Sequence, residues 1–151
     1  MTSLYNHALY QVATKALLYK DNKILVLITP DGYLDFPGGR VDESERNMTW
    51  QESLKREVAE EIGEAADITI GHTLFVSKRQ YQKSGQTNYI AAIFFQCQYG
   101  GGELQISEEH TSYEWLTPDE ILTSQLQFVS EDEKAQLVAH LAGVTPPDLG
   151  R

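Results

Sequence analysis

Apolar and polar residues alternate near the start of the chain in a way that predicts a β-hairpin. Residues 12–19 and 24–29 are rich in β-branched and aliphatic side chains, and the polar segment 20–23 between them suits a tight turn. A short strand at residues 33–36 is expected to end at the Pro-Gly-Gly sequence of residues 37–39. Proline and glycine interrupt a β-ladder and let the backbone pass close to another group.

A period of four residues replaces this alternation after a polar loop at residues 42–48 and predicts an amphipathic helix. Thr49 and Glu52 have the spacing of a capping box at its start, and Gly63 is a suitable stop at its end. The apolar stripe that we expect to be buried consists of Trp50, Leu54, Val58 and Ile62.

The second half of the chain predicts three more strands and two more helices. Residues 68–82, 87–99 and 103–107 have strand character, and helices are expected to start at Thr117 and Ser130. The acidic residues that follow the second signal are Glu131, Asp132 and Glu133. Because helix N-termini favour negative charge, no special role is expected for these three carboxylates.

Composition restricts the classes of function. The length suits one domain, residues 1–151, with a ragged tail expected at about 144–151. The net charge is −10 and no cluster of lysines or arginines interrupts it, so affinity for duplex nucleic acid is not expected. The apolar runs are too short to span a membrane and no secretion signal is visible. The single Cys97 lies in an apolar run and is expected in the core, which fits a cytoplasmic protein.

Three glutamates on the first predicted helix are the main candidates for chemistry. Glu57, Glu60 and Glu61 project from one side, because steps of three and four residues return to nearly the same face. Their repulsion costs stability unless a cation offsets it, and Mg²⁺ and Mn²⁺ prefer such hard oxygen ligands. The alternative that the residues themselves leave open is a solvated acidic surface.

This helix and the turn before it resemble the Nudix hydrolase family. The family's box reads Gly, five residues, Glu, seven residues, then Arg-Glu-apolar-x-Glu-Glu-x-Gly-apolar; here Gly39 opens it and residues 56–63, REVAEEIG, close it. Two positions depart from the pattern: ten residues rather than seven separate Glu45 from Arg56, and Glu64 stands where the family has an apolar residue. The resemblance implies an α/β fold, an α/β/α sandwich in which a mixed β-sheet is flanked by helices.

The resemblance also implies roles for single residues. The expected metal ligands are Glu57, Glu60, Glu61 and Glu45, with Glu43 as the alternative to Glu45 that the three extra residues leave open. Mg²⁺ is the expected metal and Mn²⁺ its alternative. The expected catalytic residues are Glu60, Glu61, Arg56 and Glu109. Substrate contacts are expected from the backbone of Gly38 and Gly39.

A second segment, residues 107–116, resembles a Glu-His sequence followed by Trp that occurs in family members acting on nucleotides. Glu109 is the candidate base or ligand in it, and Glu108 is the alternative; a solvated acidic loop is the reading without the family. His110 is expected to be structural or to support a ligand, and Trp115 is expected in the core rather than stacked on a base.

The expected function is Mg²⁺-dependent hydrolysis of a diphosphate bond in a nucleoside diphosphate linked to another group. The alternative is a domain of the same fold that binds a nucleotide without turnover, which the lengthened loop leaves open. An isoprenoid-diphosphate isomerase is disfavoured by the apolar setting of Cys97, and RNA decapping by the negative charge. The expected partner is a small nucleotide-type substrate, and a homodimer is compatible with the family.

Overall fold

The computed structural model describes residues 6–143, and the expected tail at 144–151 lies outside them. The strands are β1 (Gln11–Lys20), β2 (Lys23–Ile28), β3 (Tyr33–Asp35), β4 (Gly38–Arg40), β5 (Asp67–Lys83), β6 (Gln86–Gly101), β7 (Ser112–Leu116) and β8 (Gln127–Phe128). The helices are α1 (Trp50–Ile62), α2 (Pro118–Leu122) and α3 (Glu131–Ala142), and a 3-10 turn occupies Glu43–Glu45. Within residues 6–143 no helix has the length and apolar character needed to cross a membrane.

All eight strands belong to one mixed sheet. Its main order is β5-β6-β1-β2-β3-β8, while β4 pairs with β1 and β7 pairs with β2. β1 runs parallel to β6, and β3 runs parallel to β8; the other pairs are antiparallel. The predicted hairpin is present as β1 and β2, and the mixed sheet is confirmed.

Successive side chains of a strand point to opposite faces of the sheet. One face is covered by α3 and the other by α1. In β1, Leu17 belongs to one buried cluster together with Leu137 of α3, whereas Leu18 belongs to a second cluster together with Leu54 of α1. All four side chains are fully buried, and each contributes about 1.5–3 kcal/mol to stability. The expected sandwich is therefore confirmed.

The helix α1 begins as predicted. Thr49 Oγ1 accepts from the N–H of Glu52, and the Glu52 carboxylate accepts from the N–H of Thr49, each at 3.1 Å. The last three residues of the predicted apolar stripe are buried, but the prediction for Trp50 is wrong, because its side chain is 45% exposed. Each step of four residues turns the side-chain direction by about 40°, so the first and last residues of the stripe differ by about 120°.

The prediction of a strand at residues 103–107 is also wrong. Gln105 N–H donates to Ile62 O and Ser107 N–H donates to Glu61 O, each at 2.8 Å. This segment therefore satisfies the last carbonyl groups of α1, which have no partner within the helix. The strand at this part of the sheet is β7 instead, and Trp115 of β7 is half-buried against Tyr99, as expected for a core residue.

The buried Glu133 corrects the reading of the acidic start of α3. Ser77 Oγ donates to Glu133 Oε1 at 3.1 Å, and Arg79 donates to both carboxylate oxygens at 2.7 and 2.9 Å. The Glu133 side chain is fully buried, so it is not a solvated charge at a helix N-terminus. It anchors α3 to β5 through an ion pair that is almost completely removed from solvent.

Replacing Glu133 by Gln should lower the free energy of unfolding by about 2–4 kcal/mol, because the buried Arg79 guanidinium loses a charged partner. Urea denaturation at pH 7.5 measures this. Glu131→Gln is the matched control, since Glu131 lies on the same helix but is exposed and should change stability by no more than about 0.5 kcal/mol. Equal stability of the two variants would contradict the assignment.

Candidate functional site

A cleft of about 850 Å³ opens where β4, the glutamate side of α1 and the loop before β7 meet. The carboxylates that line it are Asp35, Asp42, Glu43, Glu57, Glu61 and Glu109, and the basic residues are Lys15, Arg40 and Arg79. The cleft therefore brings residues from both ends of the Gly39 to Gly63 motif together with charged residues far from it in sequence.

Two glycines bring the backbone of β4 against the carboxylates of α1. Gly38 has a φ of +131°, and a Cβ there would overlap the carbonyl oxygen of Thr14, so that only glycine fits. Its N–H donates to Glu61 Oε2 at 3.1 Å. A Cβ on Gly39 would lie 2.5 Å from Glu57 Oε2. Glycine is thus required at residue 38 by the backbone, whereas a side chain at residue 39 would displace the Glu57 carboxylate.

Arg56 gathers three carboxylates. Its Nε and Nη2 donate to the two oxygens of Glu45 at 2.5 and 2.7 Å, its Nη2 also donates to Glu57 at 2.6 Å, and its Nη1 donates to Glu60 at 2.7 Å. The hydrogen bonds from Arg56 lower the pKa of the buried Glu45, and in return they raise the pKa of Arg56. Glu43 is exposed and pairs with a neighbouring arginine instead. Despite the three extra residues, Glu45 is therefore the partner of Arg56.

The three helix glutamates lie in different environments. Burial raises the pKa of Glu61 to about 7, against the opposing charge of Lys15 and the Gly38 N–H. Burial also raises the pKa of Glu57, although Arg56 opposes it. The Glu60 side chain is 60% exposed and is not part of the cleft wall.

Helix geometry explains why the three do not share one wall as expected. The step from Glu57 to Glu61 turns the side-chain direction by about 40°, whereas the step to Glu60 turns it by about 60° the other way. The structure therefore brings Glu57 and Glu61 into the cleft and leaves Glu60 beside it, held by Arg56.

Sequence reasoning missed a buried ion network below the cleft. Lys15 Nζ donates to Phe36 O and Gly38 O, each at 3.1 Å, and lies 3.4 Å from Asp35 Oδ1. Arg79 Nη2 donates to the same Asp35 oxygen at 3.1 Å. Burial alone would raise the pKa of Asp35, but these two cations, a histidine and a backbone N–H together hold it well below its usual range. A lysine inside the apolar run of β1 was the one available signal, because buried lysines are rare unless paired.

The loop between residues 107 and 111 closes one side of the cleft. Thr111 donates to Ile28 O through its N–H at 2.9 Å and through its Oγ1 at 3.2 Å, which ties the loop to β2. Glu109 is exposed and lines the cleft, whereas its alternative Glu108 does not. The structure thus brings Glu109 towards the glutamates of α1.

His110 follows Glu109 in this loop and is buried. Its Nε2 lies 3.6 Å from Asp35 Oδ2, which connects the loop to the ion network. One carboxylate oxygen from Glu61, one from Glu109 and one ring nitrogen of His110 all lie within 4.8 Å of one another. The sequence had suggested a structural or supporting role for this histidine, and its position among the carboxylates was not foreseen.

The donor set of the cleft fits a divalent cation. Glu57 and Glu61 supply hard oxygen atoms, and burial raises the pKa of both, so their charge is only partly compensated, for Glu57 by Arg56 and for Glu61 by Lys15 and the Gly38 N–H. Glu109 adds a third carboxylate, with an oxygen within 4.8 Å of one of Glu61. A cation at this position would offset the repulsion among these groups, and Mg²⁺ and Mn²⁺ are the ions that such ligands suit.

Several known proteins are similar to this chain in sequence or in fold. The NUDIX domain family model matches residues 9–141. A MutT-like protein of Streptomyces ambofaciens is 32% identical over 103 residues, which cover 68% of this chain, and the chain spans 60% of the length of that relative. A MutT protein structure from Methanosarcina mazei Go1 has a TM-score of 0.72 and 21% identity, covering 89% of this chain and 94% of that one. An ADP-ribose pyrophosphatase structure from Streptococcus suis 89-1591 has a TM-score of 0.64 and 20% identity, covering 88% and 90%. At these identities the two structures show likeness of fold.

The raised pKa of Glu61 generates a prediction about stability without metal. The pKa of Glu61 rises from 4.5 in the unfolded chain to about 7 in the folded protein. Between these pH values the folded protein holds a proton on Glu61 that the unfolded chain has lost, so stability decreases as the pH rises from 4.5 through 7. Glu61→Gln removes this loss. In EDTA, the free energy of unfolding of Glu61→Gln relative to wild type should therefore increase by about 2–3 kcal/mol from pH 5 to pH 8.

Urea denaturation at the two pH values measures this difference. Glu64→Gln is the control, because Glu64 is exposed on the next turn and its difference from wild type should not change with pH. A difference between Glu61→Gln and wild type that stays constant with pH would show that Glu61 is not destabilised as a buried carboxylate.

Proposed function

We propose a function from the premise that this chain belongs to the NUDIX domain family. The chain hydrolyses a diphosphate bond in a nucleoside diphosphate linked to another group, and it needs a divalent metal to do so. The observation that carries the proposal is the pair Glu57 and Glu61, two desolvated carboxylates that meet the backbone of Gly38 and Gly39 at the wall of the cleft. A polar cleft of about 850 Å³ is large enough for a nucleotide-sized substrate.

The metal ligands in this proposal are Glu57 and Glu61, with Mg²⁺ as the expected ion and Mn²⁺ as its alternative. When bound, such an ion neutralises charge on the diphosphate and lowers the pKa of a coordinated water. Because the chain carries a net charge of −10, a polyphosphate would otherwise be repelled from a cleft rich in carboxylates. The metal requirement therefore follows from the charges of both protein and substrate.

Glu45 and Arg56 have a positioning role in this proposal. Arg56 engages both oxygens of Glu45, so this carboxylate, which the sequence assigned to the metal, is used to orient the guanidinium. The guanidinium in turn fixes Glu57 at 2.6 Å and Glu60 at 2.7 Å. Glu60 stays a candidate ligand, but it must exchange its contact with Arg56 to serve as one.

Glu109 is the proposed general base. Its carboxylate lines the cleft from an exposed loop and has an oxygen within 4.8 Å of one of Glu61, where it can accept a proton from a water that attacks phosphorus. The backbone of Gly38 and Gly39 lines the cleft beside these glutamates and is proposed to lie next to the substrate's phosphate. Positioning and electrostatics supply most of the rate enhancement in phosphoryl chemistry of this kind.

The substrate is assigned here as a class. Two of the similar structures are a MutT protein and an ADP-ribose pyrophosphatase, and both are compatible with a nucleotide-derived substrate. The proposal therefore covers nucleoside triphosphates, ADP-ribose, dinucleoside polyphosphates and nucleotide sugars. A cytoplasmic location, a single domain over residues 1–151 and a homodimer stay predictions.

The test is release of phosphate, pyrophosphate or nucleoside monophosphate from that panel in the presence of Mg²⁺, Mn²⁺ or EDTA. We expect metal-dependent turnover of at least one compound. Glu61→Gln should lower kcat by about 10³-fold or more, because it removes a ligand that stabilises transition-state charge. The exposed Glu64→Gln should stay within about twofold of wild type. Glu60→Gln should lower kcat less than Glu61→Gln does, since Glu60 lies beside the cleft.

Two results would count against the proposal. Equal turnover by wild type and Glu61→Gln would show that the α1 glutamates do not form the metal site. Absence of turnover across the panel, combined with a rise in Tm on adding one of the nucleotides, would favour the alternative of a domain that binds a nucleotide without hydrolysing it.

A further inference from the structure

The imidazole of His110 has an unsatisfied nitrogen inside the protein. Its side chain is 5% exposed, and Nδ1 is buried without a hydrogen-bond partner among the described residues 6–143. Buried polar atoms of this kind are uncommon, because leaving water without a new partner costs free energy. The position therefore calls for a group that Nδ1 contacts in the functional state of the protein.

The surroundings of the other ring nitrogen, Nε2, indicate that Nδ1 of His110 carries the free lone pair. Nε2 lies 3.6 Å from Asp35 Oδ2, and two cations, Lys15 and Arg79, keep this carboxylate ionised and able only to accept. A carboxylate at this distance favours the tautomer with its proton on Nε2. In a neutral imidazole with that proton, Nδ1 carries the lone pair and is a ligand rather than a donor.

This arrangement has the form of a metal-binding histidine. Histidines that bind metals generally turn their second ring nitrogen towards a carboxylate, a carbonyl or a water, which fixes the tautomer and the ring orientation. Here Asp35 occupies that position relative to His110. The carboxylate is itself held by Lys15 and Arg79, so the histidine is oriented by a rigid buried network.

Two carboxylates complete the donor set. Glu61 and Glu109 each have an oxygen within 4.8 Å of a ring nitrogen of His110 and of one another. Opposite ligands of a divalent transition metal are about 4.2–4.4 Å apart, because each metal–ligand bond is about 2.1–2.2 Å long. All three observed separations are at most 4.8 Å, and Glu109 lies on an exposed loop where its side chain can adjust.

We propose that Glu61, Glu109 and Nδ1 of His110 form a divalent-cation site with a nitrogen ligand, which selects Mn²⁺, Co²⁺ or Zn²⁺ over Mg²⁺. Mg²⁺ prefers oxygen ligands, whereas imidazole binds later transition metals more strongly. The inference rests on the proposed function through the shared Glu61 and Glu109. It makes Glu109 a ligand where that proposal makes it the general base, and it concerns which ion this cleft selects. It assigns His110 a direct contact with the metal, which the family resemblance did not imply.

Electron spin echo modulation of bound Mn²⁺ tests the proposal without turnover. At less than one equivalent of Mn²⁺, the wild-type protein should show the modulation of a directly coordinated ¹⁴N nucleus. His110→Gln should lose it, and His72→Gln should keep it, because His72 is exposed on β5 away from the cleft. The ratio of the Kd for Mg²⁺ to the Kd for Mn²⁺ should fall by about tenfold or more in His110→Gln and stay unchanged in His72→Gln.

Absence of nitrogen modulation in the wild type would overturn the proposal, and so would modulation that persists in His110→Gln. If His110→Gln does not fold, wild-type protein containing ¹⁵N-histidine replaces it. The modulation must then change to that of ¹⁵N, and an unchanged signal overturns the proposal. Nitrogen coordination in a protein that turns over no substrate would support this site while contradicting the proposed hydrolase, so the two failures are distinguishable.

Discussion

The approach of the β4 backbone to the glutamate side of α1 is the constraint on which the site depends. The N–H of Gly38 donates to Glu61, and a Cβ on residue 39 would overlap the Glu57 carboxylate. The approaching backbone partly removes these carboxylates from water. A nearby positive charge would then stabilise their ionised forms. The capping box of α1, the burial of Leu54 and the pairing of β4 with β1 hold the two elements in this register.

Charge is compensated unevenly around this contact. Below the cleft, Asp35 is paired with Lys15 and Arg79, and Glu133 is paired with Arg79, so each carboxylate has a direct cationic partner although burial still raises the pKa of Glu133. On its outer side, Arg56 serves three carboxylates at once. Glu61 has only a backbone N–H and more distant cations, and it is the glutamate whose pKa burial raises to about 7. The uncompensated charge is thus concentrated where the cleft opens, which is where a cation is proposed to bind.

The parts of the fold that depend on local pattern could be predicted from the sequence. Alternation predicted β1 and β2, and the capping box with its apolar stripe predicted α1 apart from Trp50. Of the residues in the motif, Glu57, Glu61 and the two glycines line one cleft. The ion network could not be predicted, because Asp35 and Arg79 are separated by 44 residues and Arg79 and Glu133 by 54, and no local pattern records such pairs. The segment 103–107 had strand composition, but the free carbonyl groups of α1 determined its conformation.

The central claim is that Glu57 and Glu61 are destabilised together so that a divalent cation can bind between them. Urea denaturation at pH 7.5 with increasing Mg²⁺ tests it most directly, because a ligand that binds only the folded state raises the free energy of unfolding with concentration. Such a rise is expected for wild type and none for the double variant Glu57→Gln/Glu61→Gln, which should be at least as stable as wild type in EDTA. Equal Mg²⁺ dependence of the two proteins would contradict it.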